Sequence, residues 1–198
     1  MIEWINLAVL VASALLFLIF YVKSARPAAL EKRIGAVAYR RCARYRSIAA
    51  VLMLVASANY VIAYFYPLPV GLPRVFPWPW WISAVVAVLI ALPSGYLWYS
   101  GVRDAGEETM VPKKEHTLYG GIYGRIRHPQ AVGELMMWWV MAFSLHSPLL
   151  ALFSFVWVPI FVTICLVEEQ DLLVRYGEPY ALYRQSTGFF FPKPGGVR

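Results

Sequence analysis

The chain alternates between long apolar runs and shorter polar segments that hold most of its lysines and arginines. A helix of about 20 mostly apolar residues is long enough to cross the hydrocarbon core of a bilayer. Runs of this kind lie at residues 4–22, 47–66, 80–100, 129–146 and 148–167. The pattern therefore predicts an all-α integral membrane protein with about five transmembrane helices, organised as a single membrane domain over residues 1–198.

The composition is typical of a membrane protein, and the distribution of charge argues against nucleic acid as a partner. Hydrophobic residues make up 60% of the 198 residues and charged residues 15%, which differs strongly from a soluble domain. The net charge of +7 does not indicate nucleic-acid binding, because the basic residues bracket the apolar runs as membrane anchors do. Cys42 and Cys165 show no metal-binding or redox spacing, so we expect two free thiols.

The basic residues also predict the orientation of the chain. Segments 23–46, 103–127 and 175–198 together contain every lysine and arginine except Arg74. By the positive-inside rule these segments face the cytoplasm, which gives an outer N-terminus and an inner C-terminus. We therefore expect a protein of a prokaryotic inner membrane, or an equivalent plasma membrane, with its polar loops and any active site on the cytoplasmic side.

Residues 23–46 are the most basic part of the sequence, and Glu31 is their one acidic residue. After Pro27 the apolar residues recur on one side of a helical pattern. This spacing predicts an amphipathic helix that lies on anionic lipid. Two roles fit such a segment: it is either a topological anchor or a surface that recognises the headgroup of a substrate.

Two polar stretches flank the last predicted hairpin. One is RIRHPQAVGE at residues 125–134, and the other is EEQDLLVRYGEPYALY at residues 168–183. A hairpin that crosses a bilayer returns to the side where it began, so we expect both stretches to meet at one surface. Charged groups near hydrocarbon are costly, and their presence there indicates a functional site. The alternative is a set of interfacial anchors and surface ion pairs.

Local geometry refines this expectation. His128-Pro129 predicts the start of a helix, because proline favours the first helical position and disfavours helical conformation in the residue before it. Glu168 and Glu169 are consecutive, so about 100° separates them around a helix axis. We therefore expect one of them to face a ligand and the other to anchor a basic residue of the first stretch.

The residue types favour group transfer over hydrolysis. The sequence contains no HExxH or Cys–His ligand pattern, so no metal site is expected. It also shows no serine or cysteine nucleophile placed with a histidine, and the catalytic residues stay unassigned. Carboxylates beside aromatic rings suit a cationic cofactor such as S-adenosyl-L-methionine. Methyl transfer from it requires mainly positioning and the exclusion of water.

The same stretches resemble a known family. GIYGRIRHP at residues 121–129, then Gly133, and then EEQDLLVRYGEPYALY resemble the C-terminal half of the isoprenylcysteine carboxyl methyltransferase and phospholipid methyltransferase superfamily. The family patterns are roughly GxYxxxRHPxYxG and EExxLxxxFGxxYxxY, and the resemblance covers about residues 116–192. It implies that a loop, hairpin and tail in residues 101–198 form a pocket for S-adenosyl-L-methionine, next to three spans and a basic loop in residues 1–100.

The resemblance implies roles for individual residues. The expected cofactor-binding residues are Tyr123, Arg127, His128, Pro129, Glu168 and Glu169. Candidate substrate-binding residues are Glu134, Tyr180, Tyr183 and Arg184. The acceptor is expected to be a lipid or a lipophilic small molecule: a prenylcysteine-like carboxylate, a lipid amine or a small hydrophobic compound.

The sequence departs from the family pattern, and an alternative stays open. Ala131 stands where the pattern has a tyrosine. Many relatives carry a further arginine after the tail tyrosines; here Arg184 is the nearest one and Phe189 stands in that region, so recognition of a substrate carboxylate is not implied. Gly133-Glu134 also resembles the RHPNYxGE-like motif of membrane sterol and steroid reductases. An NADPH-dependent reductase is therefore the alternative, and a non-enzymatic membrane scaffold is the third reading.

Overall fold

The computed structural model describes residues 1–113 and 120–193, and in these residues all regular secondary structure is helical. The α-helices are α1 (Ile2–Ser24), α2 (Pro27–Ile34), α3 (Val37–Phe65), α4 (Trp80–Ala105), α5 (Pro129–Ser144), α6 (Pro148–Phe153), α7 (Trp157–Tyr176) and α8 (Glu178–Ser186). Turns of 3₁₀ helix follow α4 at Gly106–Thr109, precede α5 at Gly121–Gly124 and join α6 to α7 at Ser154–Val156. The predicted all-α membrane fold is confirmed.

Four helical segments of the described residues are long and apolar enough to cross a membrane. They are Ile2–Ser24, Val37–Phe65, Trp80–Thr109 and Pro148–Tyr176. The remaining predicted span, residues 129–146, is the shorter helix α5 of 16 residues. At 1.5 Å per residue it measures about 24 Å, against about 30 Å for a hydrocarbon core. The prediction of about five spans therefore corresponds to four full-length helices and one shorter helix.

The basic segment differs from its prediction. The part of this segment after Pro27 was expected to form an amphipathic surface helix, but α2 ends at Ile34, Gly35 follows it with a φ of +67°, and α3 then begins. The first turns of α3 turn Cys42 and Arg46 into the protein interior. The carboxylate of Asp171 on α7 accepts hydrogen bonds from the first free N–H groups of α2, those of Ala28 at 3.0 Å and Ala29 at 2.8 Å. The Asp171 side chain therefore caps the N-terminus of α2 and holds this helix against α7.

The apolar core lies where α1, α3, α5 and α7 meet. The indoles of Trp138 and Trp157 stack with ring centroids 3.7 Å apart. The indole N–H of Trp157 donates to the hydroxyl of Tyr60 at 3.2 Å, and that hydroxyl lies 3.4 Å from the Ser154 hydroxyl. Since buried polar atoms are costly without partners, these contacts allow polar aromatic residues to fill the core.

Helices α4 and α5 pack closely because glycine occurs at their contacts. A Cβ on Gly133 would lie 2.6 Å from Cβ of Trp98 and 2.7 Å from the carbonyl oxygen of Ser94. A Cβ on Gly101 would lie 2.6 Å from Cγ of Gln130. The two helix backbones therefore approach at the end of the hairpin that carries the polar stretches.

The last hairpin positions those stretches. Helix α5 begins at Pro129 with His128 at its N-cap, as predicted, and the Ser147 hydroxyl accepts a hydrogen bond from the N–H of Leu150 at the start of α6. The helices then run in opposite directions, so the start of α5 returns to the polar part of α7. The expectation that the two polar stretches meet is confirmed by direct contacts between them, such as the Arg127–Glu169 pair.

Candidate functional site

A buried ion-pair cluster joins the two halves of the hairpin. Arg127 Nε donates to Oε1 of Glu169 at 2.6 Å, and His128 Nε2 lies 3.2 Å from the same oxygen. The exposed fraction of these side chains is 9% for Arg127, 5% for His128 and 5% for Glu169. Arg184 Nη1 lies 3.7 Å from the other carboxylate oxygen, at the surface. Because the contacts of Arg127 and His128 with the Glu169 carboxylate are charge-assisted and shielded from water, they fix the start of α5 against α7.

Arg127 also ties the C-terminal tail to the same place. Its Nη1 donates to the carbonyl oxygens of Arg184, at 3.1 Å, and of Thr187. Its backbone N–H donates to the carbonyl of Gly188 at 2.8 Å. The ring of Phe189 lies 5.4 Å below its guanidinium group, a cation–π distance. One arginine therefore holds the hairpin and the tail together.

A cavity adjoins the cluster and is lined by residues from α1, α3, α4, α5, α7 and α8. Its polar lining consists of Tyr21, Arg46, Glu108, Thr109, Tyr123, Arg127, His128, Gln130, Glu134, Glu168, Tyr176, Tyr180 and Tyr183. Its apolar lining includes Ala131, Phe161, Ile164, Cys165 and Leu172. Charged groups thus share the cavity with aromatic rings and aliphatic side chains, a mixture that suits an amphipathic ligand.

The predicted site residues divide into a lining set and a supporting set. Seven of them line the cavity: Tyr123, Arg127, His128, Glu134, Glu168, Tyr180 and Tyr183. Pro129 is buried at the start of α5, and Glu169 is buried behind Arg127 and His128. The Arg184 side chain is 45% exposed and contacts Glu169. These three residues are not part of the cavity wall.

The two consecutive acids make different contacts. Glu169 is enclosed in the ion-pair cluster, whereas Glu168 lines the cavity with 34% of its side chain exposed and its Oε2 3.7 Å from Nδ1 of His128. This is the division that their 100° separation around the helix predicted. Glu168 is consequently the carboxylate of the pair that is available to a ligand.

Tyrosines form the polar rim of the cavity. The Tyr183 hydroxyl donates to the carbonyl of Tyr123 at 2.8 Å, and the Tyr123 hydroxyl donates to the carbonyl of Gly101 at 3.3 Å. Burial raises the pKa of Tyr183 to about 12 and also raises the pKa of Tyr123 and Tyr180. At neutral pH these phenols are therefore uncharged and act as hydrogen-bond donors.

Several lining residues were not predicted from the sequence. Arg46, interpreted as part of a basic anchor, donates to the carbonyls of Glu108 and Thr109 at 2.9 Å each and lies over the ring of Tyr21 at 5.6 Å. Arg46 follows the buried Cys42 by four residues and so lies on the same helical stripe, but the sequence alone does not show that this stripe is buried.

A second buried ion pair lies beside the cavity, and one of its members, Glu108, lines the wall. Arg175 Nη1 and Glu108 Oε1 are 2.6 Å apart, and both side chains are almost fully buried. The pair joins α7 to the turn after α4. Glu108 was not singled out from the sequence, because nothing in the local pattern indicates that the end of α4 reaches the hairpin.

The residues that depart from the family pattern lie at or beside the cavity. Ala131 lines the cavity without a hydroxyl group, so this part of the wall is apolar. The ring of Phe189 packs edge-on against His128, with centroids 4.9 Å apart. Asp171, which belongs to the second polar stretch, caps α2 instead of lining the cavity.

The fold and the site together define an integral membrane protein with a cavity at one end of its helical bundle. Acidic, basic and aromatic side chains line this cavity. The family model described as phospholipid methyltransferase matches residues 82–179, which extend from α4 to the start of α8. The chain belongs to the isoprenylcysteine carboxyl methyltransferase and phospholipid methyltransferase superfamily of integral membrane methyltransferases. The match gives no support to the reductase alternative. Searches among curated proteins and solved structures gave no match.

Proposed function

We propose that the protein transfers the methyl group of S-adenosyl-L-methionine to a lipophilic or membrane-embedded acceptor. The family to which it belongs methylates lipid-type substrates. The observation that carries the proposal is the Arg127–Glu169–His128 cluster, which holds Glu168 and the rim tyrosines beside one cavity. A site assembled from two distant stretches suits a reaction that depends on positioning.

The chemistry of the lining fits this cofactor. S-adenosyl-L-methionine carries an ammonium and a sulfonium group, and Glu168 offers a partly exposed carboxylate to a cation. The rings of Tyr176, Tyr180 and Tyr183 offer faces for a flat base or for a cation. When bound, the cofactor supplies an activated methyl group. The protein has to orient it and keep water away.

The cofactor-binding roles are divided among the predicted residues as follows. Glu168, Tyr123 and His128 contact the cofactor directly, since they line the cavity. Glu169 and Pro129 act through their neighbours: Glu169 fixes Arg127 and His128, and Pro129 begins the helix that carries the wall. Both are positioning residues.

The acceptor is proposed to reach the cavity from the bilayer. Ala131, Phe161, Ile164 and Leu172 give one part of the wall an aliphatic and aromatic surface. The outer faces of the long helices are apolar as well; Leu54, Leu89 and Leu92 expose 70%, 65% and 68% of their surface. An acceptor with a hydrocarbon tail gains from both surfaces by the hydrophobic effect.

We place the site on the cytoplasmic side of the membrane. The Asp171 cap brings the basic helix α2 to the same end of the bundle as the cavity, where the positive-inside rule expects a cytoplasmic surface. Labelling of intact cells tests this orientation. A cysteine introduced at the exposed Arg184 should resist a membrane-impermeant maleimide, whereas one introduced at Arg74 should react; the reverse pattern would contradict the orientation.

Cofactor binding to the purified protein tests the function itself. We expect saturable binding of S-adenosyl-L-methionine and S-adenosylhomocysteine by titration calorimetry, with no competition from NADPH. Glu168→Gln should weaken this binding about 10- to 100-fold, because a charge-assisted hydrogen bond contributes roughly 1.5–3 kcal/mol. Glu107→Gln is the matched control, since Glu107 is 80% exposed and pairs with Lys113 outside the cavity wall. Equal affinity of the two variants, or binding of NADPH alone, would refute the proposal.

A further inference from the structure

The positive charge of α2 and of the first turns of α3 is not used by the proposed function. Four exposed cations, here called the basic surface, lie on these two helices: Lys32, Arg33, Arg40 and Arg44. None of the four forms an ion pair within residues 1–113 and 120–193. The one acid of this segment, Glu31, accepts a hydrogen bond from the Tyr39 hydroxyl at 3.3 Å. The basic surface is therefore available to an anion from outside the chain.

The fold holds the basic surface in a fixed position. The Asp171 carboxylate caps α2, and the fully buried Ala38 and Cys42 pack the opposite side of α3 into the protein. The α3 cations lie about 200° and 240° around the helix axis from Arg46, which lines the cavity. A ligand of the basic surface is consequently outside the cavity, and its contacts require little ordering of the backbone.

The length of α3 places its cations at the lipid headgroups. The helix has 29 residues and measures about 44 Å, whereas a hydrocarbon core is about 30 Å thick. The apolar run begins at Ser47, so Arg44 and Arg40 precede it by about 5 Å and 10 Å along the helix axis. The headgroup layer covers roughly 5–8 Å beyond the hydrocarbon. Long arginine side chains can therefore place their charge beside the lipid phosphates.

The same face of α3 becomes apolar where the hydrocarbon begins. Ile48, Val51 and Val55 follow Arg44 at helical spacing, and they expose 41%, 59% and 37% of their surface. A partner that matches this face has a negatively charged head and a hydrocarbon tail that runs beside the helix. An acidic protein or a nucleic acid has the charge without the tail, so the pattern favours a lipid.

From this arrangement we propose that the basic surface binds anionic phospholipid of the adjoining leaflet. The lipid phosphate contacts the α3 cations, one acyl chain lies along Ile48 and Val51, and the α2 cations contact neighbouring headgroups. This lipid is a structural partner and not the methyl acceptor, because the basic surface faces away from the cavity. The proposal is independent of the methyltransferase function.

Bound lipid is expected to stabilise the end of the bundle that contains the cavity. Helix α3 carries Arg46, which donates to the carbonyls of Glu108 and Thr109 in the wall. Helix α2 is held by Asp171 of α7, the helix that also carries Glu168. Both helices under the basic surface therefore contact the wall, and thermal unfolding reports whether lipid stabilises them.

Native mass spectrometry in detergent tests lipid binding directly. Dioleoyl phosphatidylglycerol and dioleoyl phosphatidylcholine have the same tails, and we expect the first to bind at least 25-fold more tightly. Arg40→Gln/Arg44→Gln should bind phosphatidylglycerol about 25-fold more weakly than the parent, since each basic residue near an anionic surface contributes about fivefold in affinity. The matched control Arg74→Gln/Arg125→Gln removes two other exposed positive charges and should bind as the parent does.

Thermal unfolding in nanodiscs supplies a second measurement. The parent should melt at a higher temperature in phosphatidylglycerol than in phosphatidylcholine, and salt should reduce the difference because it screens exposed charges. Arg40→Gln/Arg44→Gln and Lys32→Gln/Arg33→Gln should each lose part of the difference while they melt as the parent does in phosphatidylcholine. Either pair decides the question if the other fails to fold.

Three results would overturn the proposal. The first is equal affinity of the parent for the two lipids. The second is equal affinity of Arg40→Gln/Arg44→Gln and the control variant for phosphatidylglycerol. The third is full stabilisation of the parent in phosphatidylcholine by inorganic phosphate or by an oligonucleotide, which would indicate a general anion site instead of a lipid surface.

Discussion

Neutralising Glu169 should destabilise the protein, whereas neutralising its neighbour Glu168 should mainly affect the ligand. In Glu169→Gln the amide keeps the size of the side chain and removes the charge that Arg127 and His128 share. Arg127 then keeps its backbone acceptors in the tail and loses its carboxylate partner. The perturbation therefore separates the contribution of the ion pair from that of packing.

The size of the effect follows from burial. The side chains of Arg127 and Glu169 are 9% and 5% exposed, so solvent screens their interaction little. Removal of one partner from a buried pair typically costs about 3–5 kcal/mol, because the other charge stays buried. The remaining amide oxygen still accepts a hydrogen bond, so we expect a loss of about 2–4 kcal/mol.

Thermal unfolding in detergent or nanodiscs measures this loss, and hydrogen exchange locates it. The amides of residues 187–191 should exchange faster in Glu169→Gln, because Arg127 joins the tail to α7. Glu107→Gln removes a carboxylate from an exposed pair and serves as the control for charge alone. A double variant with Arg127→Gln should be less destabilised than the sum of the two single variants. If Glu169→Gln unfolds at the same temperature as Glu107→Gln, the cluster does not hold the hairpin.

Three further outcomes are expected. Asp171→Asn should speed hydrogen exchange at Ala28 and Ala29 and lower the stability by about 1–2 kcal/mol, since α2 loses a charged cap; unchanged exchange would contradict the capping. Gly133→Ala should cost about 1–3 kcal/mol in thermal unfolding, whereas Gly124→Ala, with open space at its Cβ, should cost little. Stability should fall between pH 10 and pH 12, because the unfolded state releases the Tyr183 proton first; Tyr183→Phe should reduce that fall in a pH series of melting temperatures.

The hydrophobic pattern was sufficient to predict the helices and the meeting of the two polar stretches. Four of the long runs form helical segments with the length of a bilayer crossing, and His128-Pro129 marks the start of the shorter helix α5, as local sterics predict. The hairpin then brings Arg127 to Glu169 by geometry alone, although 42 residues separate them. These features depend on the length and periodicity of the apolar runs and on the reversal of the chain between two of them. Both can be deduced from the sequence.

The parts that could not be predicted depend on contacts between helices. The break at Gly35 needs the α2 N-terminus to meet Asp171, a residue 143 positions beyond Ala28. Periodicity alone also cannot show that α3 turns Arg46 inward, since a basic residue at a membrane boundary normally points to water or lipid headgroups. Both outcomes depend on which helices pack against each other, and this cannot be deduced from a single sequence.

The stability of the bundle does not by itself require these buried charges. Replacement of a buried ion pair by apolar residues of similar volume is often neutral or stabilising, because desolvation offsets the Coulomb attraction. Ordinary apolar packing could therefore join α5 to α7, as the stacked Trp138 and Trp157 do deeper in the same hairpin. Charges are kept instead at the end where Glu168 faces the cavity. Their position beside that carboxylate, rather than their strength, is the reason to assign the end of the hairpin to ligand binding.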